Sequence, residues 1–234
     1  MRLATLNTWK NEGRYPRRLE LIAAGLAGLD LDVLLLQEAF VGQGWNTASW
    51  LGERLGLQVS LAPARWKPRL HDGRMMRSAS GLAILSREVI VPEVLSLSAH
   101  PDDGERIAMF ADVGGGAFRV LNLHLTHLQG PVGDELRRVQ LSEALEWAGT
   151  GLKGRLILGG DLNAAASANC LKALWVRGTP PVETGSTTHG DGPAIDHLVS
   201  PAGSPLRVER ILRLPDSQGV YPSDHCGVFS DTQG

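Results

Sequence analysis

Eight short apolar runs punctuate the chain, and they restrict its fold more than any other feature of the sequence. They are Arg2–Asn7, Val33–Gln37, Gly81–Leu85, Ile107–Val113, Phe118–His124, Arg155–Leu158, Ile195–Val199 and Val208–Leu214, rich in Leu, Val and Ile and bounded by Gly, Pro, Asp or Ser. Runs this short with such boundaries predict strands. Their nearly continuous apolar character predicts sheets covered on both faces, because a sheet with one wet face alternates apolar with polar residues. Helical patterns lie between some of them: Arg17–Leu29 behind Pro16, Thr47–Leu55, Glu135–Trp147, and Cys170–Val176 after Ser167.

Helix follows strand early, whereas Gly81 to His124 reads as consecutive strands, two of them joined by the turn Gly114-Gly115-Gly116. A strictly alternating strand-helix chain is therefore disfavoured, and mixed sheets packed together with helices outside, an α/β architecture, account for both halves. Neither an internal repeat nor a linker-like tract divides the 234 residues, so the expectation is one domain over 1–234.

Composition closes several routes. The two cysteines, Cys170 and Cys226, follow no metal or redox spacing, which argues against a disulfide-built scaffold and a zinc finger. No apolar stretch is long enough to span a membrane, and Met1 to Asn7 lacks the apolar run of a signal peptide, so a cytoplasmic protein is expected. Lys plus Arg is 23 against 25 for Asp plus Glu, and the net charge of −2 denies the molecule a global positive field for polyanions. One local exception stands out. Arg65, Lys67, Arg69, Arg74 and Arg77 face one acid, Asp72, in a stretch read as a basic loop, with Trp66 offering a face on which a base could stack.

Polar residues recur where the predicted strands end: Asn7, Glu38, His124, Asp161 with Asn163, Asp196, and Asp224 with His225. Singly, each reads as a solvated strand exit, a turn or a helix cap. Together they are a hard-oxygen set plus two histidines. Carboxylates Glu38, Asp161 and Asp224 and the amide oxygens of Asn7 and Asn163 suit Mg²⁺ or Mn²⁺. His124 and His225 suit proton transfer or hydrogen-bond donation, and Asp196 would orient one of them.

The ordered series Leu6-Asn7-Thr8, Leu36-Gln37-Glu38, Gly81 to Arg87, Leu121-Asn122-Leu123-His124-Leu125, Gly160-Asp161-Leu162-Asn163-Ala164, Ile195-Asp196-His197 and Ser223-Asp224-His225 resembles the endonuclease/exonuclease/phosphatase superfamily over nearly the whole chain. The resemblance implies a four-layer α/β sandwich, DNase I-like, with a metal site at one edge. It implies Glu38 as principal metal ligand with Asn7 beside it and Asp224 in support. Asp161 would orient or activate the attacking water, Asn163 would hold a phosphate oxygen, and His124 would donate to one. His225, paired with Asp196, would act as base or stabilise developing charge, and the resemblance leaves the proton with either Asp161 or His225. Three positions depart from the pattern: Leu123 where many members carry Thr, Arg77 where some nucleases carry a second acidic ligand, and Trp9 where some have an acid. The latter two favour one principal ion.

Among the remaining residues, His127 reads as a surface or supporting histidine, His197 as structural, and His71, His100 and His189 receive no role. Arg137 and Gln140 lie one helical turn apart, where they could face the sheet edge together, and a solvated helix face is the preferred reading. The expected function is a Mg²⁺- or Mn²⁺-dependent phosphoesterase, with a phosphodiesterase of nucleic acid or nucleotide ahead of a phosphatase or lipid-headgroup hydrolase. Arg69, Arg74 and Arg77 are its expected substrate contacts, and no obligate protein partner is inferred. A silent binding module on the same scaffold would have been favoured by loss of Glu38, Asp161, Asn163 or His225, and none is lost. A zinc hydrolase is disfavoured by the oxygen-rich set.

Overall fold

Strand β1 (Arg2–Asn7), helix α1 (Tyr15–Ala27) and strand β2 (Val33–Gly42) open the chain in a computed structural model that describes residues 1–71, 73–149, 156–175, 185–201 and 206–232. Asp72, Arg155 and Val176, placed above in a basic loop, a strand and a helix, lie outside the described residues. β1 and β2 are parallel, with Asn7 beside Gln37, and α1 is the crossover that parallel strands require. Next come β3 (Trp45–Asn46), α2 (Thr47–Leu55), β4 (Gln58–Pro63), β5 (Lys67–His71), β6 (Arg74–Ser86), β7 (Glu93–His100), β8 (Gly104–Val113) and β9 (Phe118–His124). The chain continues through α3 (Gly130–Ala148), β10 (Leu156–Asp161), a 3-10 helix (Asn169–Trp175), β11 (Asp196–Val199), β12 (Val208–Ile211) and β13 (Gly227–Asp231). Among the described residues, no helix is long and apolar enough to cross a membrane.

One sheet has the order β12-β13-β1-β2-β6-β4, with β3 added to β2 and β5 to β6, and the other the order β11-β10-β9-β8-β7. Both are mixed. The second contains its own parallel pair, β9 and β10, linked through α3. Alternation along each strand divides its apolar residues between two layers, which explains the unbroken apolar runs. In β2, Val33 and Leu35 face the second sheet, where Met109, Val120, Ile157 and Leu198 meet them. Leu34 and Leu36 face the other way, onto Leu19, Ile22 and Leu26 of α1 and Leu51 of α2. The second sheet is covered likewise, with Phe110, Leu121, Leu123 and Leu158 under α3 and the 3-10 helix. The four-layer α/β sandwich is thus the observed architecture. Leu35 is fully buried, and Leu35→Ala should cost about 2–5 kcal/mol.

Two polar side chains fasten the sheets to each other beneath the rim. Gln37 donates to Asn122 Oδ1 at 2.7 Å, and Asn122 donates to the carbonyls of Leu36 and Ala83, all without solvent exposure. Such a buried network is tolerable because each member is bonded.

Several boundaries differ from expectation. β6 reaches back to Arg74 and pairs with β5, so Lys67 to His71 and Arg74 to Arg77 are strand and not loop, with Arg65 and Trp66 ahead of them. Cys170 to Trp175 winds as a 3-10 helix. α3 starts at Gly130, ahead of Glu135, because Pro131 suits a first helical turn. Edge strands β4 and β7 escaped notice because they are only partly buried and lack a continuous apolar run.

Candidate active site

The site lies at one edge of the sandwich, and the first sheet contributes through a break in its regularity. β2 pairs Leu36 with Ala83 and then Ala39 with Gly81, so Gln37 and Glu38 oppose Leu82 alone. This is a β-bulge, and Glu38 takes φ of 53° there. Glu38 therefore sits within β2 and not at its end. Asn7 closes β1, and Trp9 and Lys10 follow in left-handed conformations at φ of 54° and 44°. Residues other than glycine rarely hold that region unless the surroundings fix them. Arg18 of α1 supplies the fixing: its five N–H groups donate to the carbonyls of Thr8, Trp9, Lys10, Glu12 and Pro222 at 2.9 to 3.1 Å. It is 1% exposed, and burial lowers its pKa to about 10.

The second sheet brings His124 at the end of β9 beside Asp161 at the end of β10, which are register partners. Gly160 makes that approach feasible: at its φ of 147° a Cβ would lie 1.9 Å from the Leu123 carbonyl oxygen. Asp161 Oδ2 accepts from Asn7 Nδ2 at 3.0 Å and lies 3.6 Å from His124 Nε2 and 3.9 Å from His225 Nε2. Asp161 Oδ1 accepts the backbone N–H of Asn163, which itself has φ of 51°. The Asn163 amide donates to the Leu125 carbonyl at 3.0 Å. Asp196, opposite Asp161 on β11, accepts from His225 Nδ1 at 2.8 Å, and its other oxygen is buried with no partner among the described residues. Ser223 ties Asp224 into the array, donating to the Asn7 carbonyl at 2.7 Å and contacting Asp224 Oδ1 at 3.2 Å.

Burial and neighbouring charge divide these groups by protonation. Asp161 is raised to about 7, by burial first and the Asp196 charge second, against opposing contributions from His225, Asn7 and the Asn163 N–H. Burial pushes His225 down, but the Asp196 hydrogen bond and the charges of Asp196, Asp161 and Asp224 outweigh it and raise the imidazole to about 10. His124 is driven well below its ordinary value by burial and then by Arg106. Near neutral pH this leaves His225 charged, His124 neutral and Asp161 able to exchange a proton.

Glu38, Asn7 and Asp224 line the same cleft of about 370 Å³ as Asp161, His124 and His225. Lys10 Nζ lies 2.9 Å from Glu38 Oε1. Asp224 is raised by burial, with Glu38 adding like-charge repulsion. Two repelling carboxylates beside an amide oxygen form a hard-oxygen set that fits Mg²⁺ or Mn²⁺. Asp161, Asp196 and His225 also bring ligand-type atoms within 4.8 Å of one another. Asp196 and His225 are already bonded to each other and Asp161 Oδ2 already accepts from Asn7, which suits an acid-base array better than a cation cage.

The basic hairpin divides between two faces. Arg69 lines the cleft with Arg65 and Lys67, whereas Arg74 and Arg77 are exposed and not among the cleft-lining side chains, Arg77 lying over the Trp66 ring at 5.6 Å. Strand alternation is the reason for Arg77, which is paired with Pro68, one position out of step with Arg69; Arg74, paired with His71, is in step with Arg69 but stands at the start of β6, at the far end of the hairpin. A further correction concerns Arg137 and Gln140, which are buried. They brace residues 126–128 behind His124: Arg137 donates to the Thr126 and Leu128 carbonyls, and Gln140 accepts from the Thr126 N–H. His197 is structural as expected, buried against the Ala164 carbonyl. His127 is half exposed, with Nδ1 2.6 Å from Asp103 at the cleft wall. Sequence reasoning passed over Arg18 and Lys10. An arginine in the first turn of an apolar-faced helix was the available signal for Arg18; Lys10 gave none.

A model of the Endonuclease/Exonuclease/phosphatase family matches residues 4–225. The fold is similar to that of the human Nocturnin catalytic domain with bound sulfate anion (22% identity, TM-score 0.69, covering 99% of this chain and 93% of that one). It is similar also to an endonuclease/exonuclease/phosphatase from Beutenbergia cavernae (21%, TM-score 0.72, 98% and 70%) and to TDP2 from C. elegans (16%, TM-score 0.63, 98% and 74%). No curated protein sequence matches significantly. The family match over nearly the full length, on the sandwich and rim just described, establishes that this chain belongs to the endonuclease/exonuclease/phosphatase family.

Proposed function

We propose that this protein hydrolyses phosphoester bonds with Mg²⁺ or Mn²⁺, acting on a phosphodiester of a nucleic acid or nucleotide by in-line attack of water. The observation that carries this reading is the convergence of Asn7, His124 and His225 on one carboxylate oxygen of the buried Asp161. A dication held by Glu38, with Asn7 and Asp224, would supply positive charge that polarises the phosphate and eases loss of the leaving oxygen. Asp161 accepts the proton of the attacking water; the water oxygen bonds to phosphorus as the bond to the leaving oxygen breaks. We give the base role to Asp161, because the Asp196 hydrogen bond and the surrounding carboxylates favour a proton on His225. His225, held by Asp196, turns Nε2–H toward the phosphate and balances its growing negative charge. His124, kept neutral, and Asn163 donate to phosphate oxygens without adding charge.

The test is a panel of single- and double-stranded DNA, RNA, aryl phosphodiesters, phosphomonoesters and phospholipids, each with Mg²⁺, Mn²⁺ or chelator. Turnover of diesters that stops in chelator is expected. Turnover of monoesters alone would replace the diester reading with a phosphatase, and full activity in chelator would overturn the metal.

A further inference from the structure

The cleft that holds Asp161 and His225 is not the only hollow on this side of the molecule. A second, of about 530 Å³, lies behind the β5–β6 hairpin, and the two share Lys10, Lys67 and Arg69 as lining residues. A ridge of three cations therefore separates the rim from a hollow that Pro68, Leu70 and His71 also line.

Arg69 is the unusual member of the ridge. It is 8% exposed, and its guanidinium donates to the Ser78 carbonyl at 2.7 Å and hydroxyl at 3.3 Å, the Ser80 hydroxyl at 3.2 Å and the Arg65 carbonyl at 3.4 Å, while its buried Nε has no partner among the described residues. Among the described residues no carboxylate pairs with it. The other buried arginines differ in charge partner or in saturation: Arg137 is paired with Asp134, and Arg18 donates all five of its N–H groups to carbonyls. Lys67 stands two residues before Arg69 on the same face of β5, and Arg69, Arg65 and Lys10 oppose its charge after burial does. Glu12 in the second hollow and Glu38 in the first are the acids within electrostatic reach of Arg69, and Glu38 is engaged by Lys10. Burying a cation this poorly compensated is costly, and an anion would offset the cost.

We infer that Lys10, Lys67 and Arg69 form an anion subsite that takes a second phosphate, so that the protein selects phosphoesters carrying at least two phosphate groups. The inference rests on the phosphoesterase reading for the position of the scissile phosphate, at His124, Asp161 and His225. The organic group borne by the second phosphate then enters the hollow beside Pro68 and Leu70. A nucleic-acid chain and a diphosphate-bridged dinucleotide both present this chemistry.

Calorimetry with inorganic pyrophosphate and with orthophosphate, in the absence of metal, tests the subsite without reference to activity. The wild type should bind pyrophosphate about tenfold more tightly than orthophosphate, the scale of one added charge-assisted contact. Lys67→Gln, at an exposed position that should not disturb folding, should bring the two within about twofold, and Lys67→Arg should restore the difference. With Mg²⁺, Lys67→Gln should lose about tenfold more kcat/KM on a trinucleotide or a diphosphate-bridged dinucleotide than on a one-phosphate aryl diester, and the larger of the two losses identifies the source. Equal binding of the two anions by the wild type, or equal losses on one- and two-phosphate substrates, would overturn the subsite. Preserved pyrophosphate preference in a protein that turns over no phosphoester would leave the subsite standing and defeat the enzymatic reading instead.

Discussion

Asp161, Asp196 and His225 are 2%, 2% and 9% exposed and joined to one another or to Asn7 by hydrogen bonds, whereas on the other wall of the cleft Lys67 on the β5–β6 hairpin and Arg65 just ahead of it are exposed, with like charges for neighbours. The first wall grows from β1, β10 and β11 and from loops that Arg18 and Ser223 hold, so its groups are oriented before a ligand arrives. The second wall keeps its charge unspent. The difference separates preorganised chemistry, which should be read in kcat, from recognition, which should be read in KM and substrate choice.

Substitutions on the two walls can sharpen that separation or break it. The largest effect is expected of Asp161→Asn, which should lower turnover by about 10²–10⁴, the range for a positioned acid-base group, while steady-state kinetics show KM changed only a few-fold. Loss confined to KM would erase the distinction between the walls. His225→Ala and Asp196→Asn should each cost turnover, and because the two act as a unit, the double variant should lose far less than the product of the single losses. Fully multiplicative losses would show that the 2.8 Å bond between them is not used. Lys10 gives a smaller effect of opposite sign: removing its ammonium from Glu38 by Lys10→Met should tighten Mn²⁺ binding about two- to fivefold in a calorimetric titration, the scale of a partly exposed ion pair. Weaker binding would place Lys10 among the supports of the metal site.

A further effect, read in stability and not in turnover, is one of pH. His225 is raised to about 10 in the fold, against about 6.5 in an unfolded chain, so its charged form is favoured by folding. That contribution is complete below the unfolded value and is lost as pH rises through the folded one. Chemical denaturation should therefore show stability falling between about pH 6.5 and 10, with a shallower fall in Asp196→Asn. Identical slopes would mean that Asp196 does not hold the imidazole charged.

The layers of the fold were legible because unbroken apolar runs such as Val33 to Leu36 demand cover on both faces, and the helices on each outer side supply it. Asp161 and His124, or Asp196 and His225, were legible as members of a set because each stands at or next to a strand end. Glu38 was found, but its bulge was not, since two residues of β2 opposing one of β6 leave no trace in either strand read alone. Arg137 and Gln140 were misjudged because a polar pair one helical turn apart looks the same whether it meets water or a loop's carbonyls. The basic stretch was legible as charge, not as geometry: only the β5–β6 register separates Arg69 in the cleft from Arg77 outside it.

The account turns on water attacking phosphorus at the Asp161 oxygen, and hydrolysis in ¹⁸O-labelled water tests that step most directly. With Mg²⁺ or Mn²⁺ present and an aryl phosphodiester as substrate, phosphorus NMR should show one ¹⁸O on the phosphate product for each bond cleaved, and chelator or Asp161→Asn should suppress that signal. Label recovered in the phenol, with none on phosphorus, or labelled phosphate formed at the same rate in Asp161→Asn, would contradict it.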